Sequence, residues 1–172
     1  AQVGRILKKL KETEANKNTI VVLWGDHGWN LGEHGIWGKH NLFDVALKSP
    51  LIIYTPTIEQ PGEKATGIAE TLDIFPTLCD LTGLPKAKFS QGTSLIAMLE
   101  NPLQSGHAAV SYLQNAQSIR VPRYRLIAHD TEYMELYDYE SAEKEKQNIA
   151  DEHPEKVAEL KLLLRAKINQ VR

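Results

Sequence analysis

Cysteine is nearly missing from this chain of 172 residues: Cys79 stands alone. No disulfide can therefore close within the chain, and no cysteine-built zinc site can form. Within FPTLCDLTG, Cys79 reads as a plain core residue. Long hydrophobic runs are missing too, and none approaches the roughly 20 residues that a membrane-spanning helix needs. An excess of one charge is also lacking. The net charge is −2 and the pI about 6.3. With no basic stripe, this argues against a nucleic-acid footprint. The chain has no signal peptide and no initiating Met, and it opens inside a helical pattern. Residues upstream of Ala1 are expected, and localisation is not readable from this end. There is no internal repeat and no low-complexity tract.

What is present is enough apolar material, 42% of residues, for the core of a single domain with mixed surface charge. Residues 3–14 place Val3, Ile6, Leu7 and Leu10 at helical spacing, with Lys and Glu between them. Asn16 and Asn18 end that helix. The run 20–24 (IVVLW) follows as a strand apolar on both faces, and 51–54 (LIIY) is a second; such strands belong inside a mostly parallel sheet. A helical turn is expected near 42–46 and a surface loop over 57–65. A helix is expected over 71–82, with Asp73 as N-cap, Pro76 in its first turn and Gly83 at its C-cap. Thr93 or Ser94 caps a shorter helix through Leu99.

Composition changes near Gly106. Residues 108–113, 118–121, 124–128 and 134–137 read as short strands of a small antiparallel sheet. Residues 154–171 return to helix, with Val157, Leu160, Leu164 and Ile168 on one face. The expected class is α/β: residues 1–105 hold buried, mostly parallel strands with helices, and residues 106–172 form an antiparallel-sheet subdomain with a terminal helix.

The chemistry concentrates between the two apolar strands. The first strand stops at Gly25, and Asp26 and His27 follow at once. A glycine-rich loop then carries Glu33, His34, Lys39 and His40. Within a regular strand neighbouring side chains point to opposite faces. The break at Gly25 lifts that restriction, so Asp26 and His27 can turn toward one cation. An Asp oxygen with a His nitrogen suits a divalent metal, but two ligands never complete a shell. Lys39 is placed to neutralise a tetrahedral anion beside it. The plainer readings stay open: the Asp–His pair as a cap or surface pair, the glycines as turn-formers, Trp29 and Trp37 as loop packing or as a sugar platform. The spacing of His27, His34 and His40 matches no H-E-x-x-H zinc motif.

Gly25-Asp26-His27-Gly28, then Leu31-Gly32-Glu33-His34-Gly35, Trp37 and Lys39, resemble the loop of the sulfatase family, within the alkaline-phosphatase-like superfamily. The subgroup that includes iduronate-2-sulfatase is the most similar. FDVALKSPLIIY, TLDIFPTLCDLTGLP with QGTSLIAML, and ELYDYESAEKEKQNIADEHPE are similar to the segments that follow, in the same order. The resemblance implies hydrolysis of sulfate esters by a formylglycine made from Cys or Ser, with bound calcium. It implies Asp26 and His27 as calcium ligands and Lys39 as a contact to the sulfate. The family's C-x-P-S-R nucleophile segment and its paired Asp ligands do not occur here. The chain is therefore expected to be the C-terminal part of a sulfatase, inactive alone, with an incomplete calcium set and no catalytic residue of its own. Its expected partners are a sulfated sugar or other sulfate ester and the missing N-terminal part; without that part, self-association is expected. Family members are often secreted, periplasmic or lysosomal. The competing readings are a phosphodiesterase or phosphonate hydrolase of the same superfamily, and a non-catalytic module with a sulfatase fold.

Overall fold

Alternating apolar and polar residues over 109–138 are satisfied by a four-stranded antiparallel sheet in the order β5-β6-β7-β8. Its strands are Ala109–Leu113, Ala116–Arg120, Tyr124–His129 and Met134–Asp138. We describe it from a computed structural model covering residues 1–171, with side chains through residue 169. One sheet face presents Ile119, Leu126 and Leu136, none with any exposed surface, to Leu160 and Leu164 of helix α5 (Pro154–Val171). Val157 and Ile168 join them, as the helical spacing predicts. The opposite face places Ala116, Ile127 and Tyr137 against Leu42, which lies just beyond the glycine-rich loop. The sheet thus has a core on both sides, and the loop is tied to one of them.

Upstream, helix α1 (Gln2–Glu12) carries its apolar stripe in the open, with Val3, Ile6 and Leu7 all exposed. Strand β1 (Val21–Trp24) pairs with β4 (Leu51–Tyr54). The α/β class stands, but the mostly parallel arrangement does not: Val21 faces Tyr54 and Trp24 faces Leu51, so the pair is antiparallel. A parallel return needs a long crossover, usually helical. The connection here holds only the two-residue strands β2 (Asn30–Leu31) and β3 (Trp37–Gly38) and the one-turn helix α2 (Asp44–Leu47). The strands are also only partly buried: Leu23, Trp24, Ile52 and Tyr54 are exposed.

Helix α3 (Ile74–Thr82) ends at Gly83 in the left-handed region, as the sequence predicts. Asp73 stands at the N-cap position of α3, as expected, but its side chain makes no cap bond to that helix; a short 3-10 turn (Thr71–Asp73) precedes with Glu70 at its cap, and the Glu70 and Asp73 side chains bond reciprocally to each other's backbone amides. Helix α4 (Ile96–Glu100) has Leu95 at its N-cap position rather than Thr93 or Ser94, though Ser94 Oγ accepts the Ile96 amide at 3.5 Å; the Leu95 amide is taken by Thr77 Oγ1 at 2.8 Å. Among the described residues no helix is long and apolar enough to cross a membrane.

Candidate functional site

Beyond β1 the chain bends at Gly25, whose amide donates to the Pro50 carbonyl at 2.9 Å and so stays beside the start of β4. Gly28 then packs directly on α2. Its amide donates to the Ala46 carbonyl at 2.8 Å, and a Cβ built on it would lie 1.9 Å from the Val45 carbonyl oxygen. No other residue fits there without displacing α2.

Between these two glycines stand Asp26 and His27. His27 Nδ1 lies 2.8 Å from the Gly28 carbonyl, which can only accept, so Nδ1 carries the proton. That leaves the lone pair on Nε2. Lys39 Nζ sits 2.5 Å from Nε2, a contact that an ammonium makes only to an unprotonated nitrogen. Asp26 Oδ2 is 3.3 Å from the same Nε2. A carboxylate, an imidazole lone pair and an ammonium therefore meet at one point. The Asp26 carboxylate is largely open to solvent, at 73% exposure, so it keeps free lone pairs. Fixing the far ring nitrogen on a carbonyl is how proteins present the other nitrogen to a metal.

The hairpin β2–β3 brings Lys39 back to this point, twelve residues after His27. Its base is held by Asn30, fully buried, which accepts from Asn41 Nδ2 at 2.7 Å. Glu33 takes the Leu31 amide at 2.6 Å, and that bond holds its carboxyl below the usual range. His34 stacks on Phe43, ring centres 3.8 Å apart and planes 6° from parallel. Glu33 and His34 therefore serve the loop itself. His40 is exposed, as are Trp29 and Trp37. Among the described residues no three His, Cys, Asp or Glu side chains gather as a metal-binding group, so Asp26 and His27 offer two donors. Cys79 lies buried in α3.

Sequence reasoning missed the polar cluster under α2. Arg125 on β7 is 2% exposed and ion-pairs with Asp44 Oδ1. Its Nε donates to Tyr139 Oη at 2.9 Å and lies 3.1 Å from Glu145 Oε1; its Nη1 donates to Ser118 Oγ at 3.1 Å. Burial opposes the guanidinium charge, but Tyr139, Asp44 and Glu145 outweigh it and hold its pKa above the ordinary value. A second cluster joins α3 to β5: His107 Nε2 lies 2.8 Å from Asp73 Oδ2, and the Val110 amide donates to Glu70 Oε1 at 2.7 Å. In both clusters the partners lie far apart in sequence, so no local spacing announces them.

A family model described as Sulfatase matches residues 1–84, which include this loop. A sulfatase of Formosa agariphila is 36% identical over 167 residues, covering 95% of this chain and 33% of its own length. Human iduronate 2-sulfatase is 36% identical over 107 residues, 48% of this chain and 20% of its own length. The chain thus spans about a third or less of the length of the curated relatives it matches. A solved structure in complex with its substrate D-glucosamine-2-N,6-O-disulfate superposes with a TM-score of 0.87 at 29% identity, over 98% of this chain and 38% of that one. The phosphonate monoester hydrolase of Silicibacter pomeroyi superposes with a TM-score of 0.86 at 27% identity, over 98% and 38%. Fold, loop sequence and relatives agree, and this chain belongs to the sulfatase family, with an alkaline-phosphatase-like fold.

Proposed function

We propose that the protein carrying this chain hydrolyses sulfate esters of sugars, and that the chain is its C-terminal part, lending one side of the metal and sulfate site. The observation that carries the reading is the convergence of Asp26 Oδ2 and Lys39 Nζ on His27 Nε2, at 3.3 and 2.5 Å. A carboxylate oxygen and a neutral imidazole nitrogen aimed at one point fit a divalent cation, and the family's calcium is the cation we assign. Calcium takes six to eight ligands, so Asp26 and His27 supply a minority and residues outside this chain supply the rest. When bound, calcium adds positive charge against the sulfate oxygens.

This chain's own contribution follows from its geometry. The Gly28 carbonyl keeps the proton on Nδ1 and so keeps Nε2 available. The Nε2 lone pair holds one partner at a time, and Lys39 turns to the sulfate when His27 is engaged. Its ammonium then stabilises the charge that builds on the substrate oxygens during transfer. The substrate class is a sulfated sugar. Iduronate 2-sulfate is the specific candidate, supported by the relative of that name and by the loop sequence.

A phosphonate monoester is the runner-up, favoured by the solved hydrolase of that class; both are tetrahedral anions suited to a cation and an ammonium. The full-length protein, assayed on an aryl sulfate, a 2-sulfated uronate and a phosphonate monoester with and without calcium chelation, separates the two. Sulfate-ester turnover lost on chelation is the expected result; faster turnover of the phosphonate would overturn it. The isolated chain should be inactive, since the family's C-x-P-S-R nucleophile segment does not occur in it.

A further inference from the structure

We infer that Arg125, acting with Glu145 and Asp44, is a positioning residue for His27: the four-stranded sheet sets where the imidazole of the loop stands. The inference rests on the reading of Asp26 and His27 as cation ligands and extends it to residues about a hundred positions away.

The links are all short. Arg125 emerges from β7 on the sheet face opposite α5 and pairs with Asp44, the first residue of α2. Helix α2 has no side-chain cap of its own. Its opening amide, that of Asp44, donates instead to both carboxylate oxygens of Glu145 at 3.0 Å each. Arg125 in turn holds Glu145, with Nε 3.1 Å from Oε1, and Tyr139 Oη donates to the same carboxylate. Two carboxylates and one guanidinium thus fasten a one-turn helix that could not persist by itself. Phe43, just before it, packs edge-on against Tyr137 of β8 at 5.8 Å and face-on against His34.

From α2 the path continues through backbone. The Ala46 carbonyl takes the Gly28 amide, and the Val45 carbonyl crowds the Gly28 Cα. The Gly28 carbonyl takes His27 Nδ1–H. If α2 shifts, Gly28 shifts with it, and the acceptor that fixes the imidazole tautomer moves. Arg125 touches neither cation nor substrate; it acts through α2 and Gly28. Physical coupling of this kind needs contiguous contacts, and every contact in the path is a named bond.

The test uses the full-length protein and separates positioning from stability. Arg125→Met alone leaves the buried Glu145 carboxylate and the partly buried Asp44 carboxylate without their cation, so its melting temperature will fall whatever its role. The informative variant is Asp44→Asn/Arg125→Met/Glu145→Gln, which removes all three charges together. Hydrogen exchange at the Gly28 amide, taken relative to the amides of the four-stranded sheet, and the ring-nitrogen shifts of His27 are the readouts: general destabilisation speeds exchange throughout, whereas lost positioning acts on Gly28 and the His27 tautomer. Arg123→Met is the control, because the Arg123 side chain pairs with Asp138 at 2.7 Å and with Glu140 at 3.3 Å, and among the described residues no hydrogen bond or ion pair joins that side chain to α2. We expect at least tenfold faster exchange at Gly28 and a mixture of His27 tautomers in the triple variant, with both unchanged in Arg123→Met. Should the triple variant not fold, Arg125→Lys takes its place: it keeps the charge but loses the fork geometry, and it should raise Gly28 exchange severalfold. Gly28 exchange and the His27 tautomer both unchanged in the folded variant would overturn the inference. If they change but Asp26→Asn leaves calcium affinity intact, positioning stands and the metal reading falls.

Discussion

Asp73 has no exposed surface, yet its carboxylate accepts from the amides of Glu70 and Thr93 at 2.7 Å each and from His107 at 2.8 Å. Burial pushes that carboxyl up, but the His107 bond and the two amides outweigh it and hold it below the usual range. His107 is raised, first by the bond to Asp73; burial and Lys167 oppose, and the Ala108 carbonyl on Nδ1 assists. Glu70 Oε2 also faces the ring at 3.5 Å. The raised His107 contributes stability fully present below about pH 6.5 and lost as pH climbs through its folded value. The depressed Asp73 contributes stability present above about pH 3.9 and lost as pH falls through its own. The pair therefore supports the fold most between these limits. Melting curves at pH 6 and pH 8.5 should show a larger drop for the parent than for His107→Gln; equal drops would remove the pair from the account. Asp73→Ala, which orphans two amides and the imidazole, should cost about 3 kcal/mol in urea unfolding. That Asp26, His27 and Lys39 lie together was legible in the sequence because a strand end and a glycine loop are local features. The roles of Asp73, His107 and Arg125 were not, because each is defined by a partner tens of residues away.

Among the elements, the sheet β5–β8 and helix α5 were readable almost to the residue, because the polar and proline turns between short strands and the period-3.6 spacing of α5 are local signals. β6 begins two residues before its expected start, at Ala116, where the turn from β5 is tighter than its polar residues suggest. The direction of β1 and β4 was not readable: an apolar run says that a strand is buried, not which way its neighbour points. Leu160, 1% exposed, sits at the centre of the α5 contact with the sheet. Leu160→Ala removes buried methyl groups and leaves a cavity, for an expected loss of about 2–5 kcal/mol. A change below 1 kcal/mol in urea unfolding would mean that α5 collapses onto the gap or contributes little. Gly28→Ala acts at another level, forcing the loop off α2, and should loosen the site more than it lowers the melting temperature.

For the molecule as a whole, exposed area is the telling quantity. A compact monomer of 19.3 kDa exposes about 8,500 Å², whereas this chain exposes 11,577 Å². Much of the surplus is apolar and lies upstream: Val3 and Ile6 on α1, and Leu23 opposite Ile52 on one face of the two-stranded sheet. Among the described residues both edges of that sheet are unpaired, and open strand edges recruit other chains. The isolated chain should self-associate at micromolar concentration in sedimentation experiments; a compact monomer that binds no apolar dye would refute this. The C-terminal sheet, with cores on both faces, should be the last part to unfold.

We propose that Lys39 meets the sulfate at a site shared with Asp26 and His27. Its side chain belongs to a loop rather than a core, so replacing it opens no cavity and leaves the β2–β3 hairpin bonds in place. One charge-stabilising donor is worth about 3–4 kcal/mol in the transition state, or roughly 10²–10³ in rate. The direct measurement is kcat on a sulfate ester for full-length Lys39→Ala, with its melting temperature recorded beside it. A rate loss of about 10²–10³ with an unchanged melting temperature is the predicted result; normal turnover in a folded Lys39→Ala protein would contradict the account.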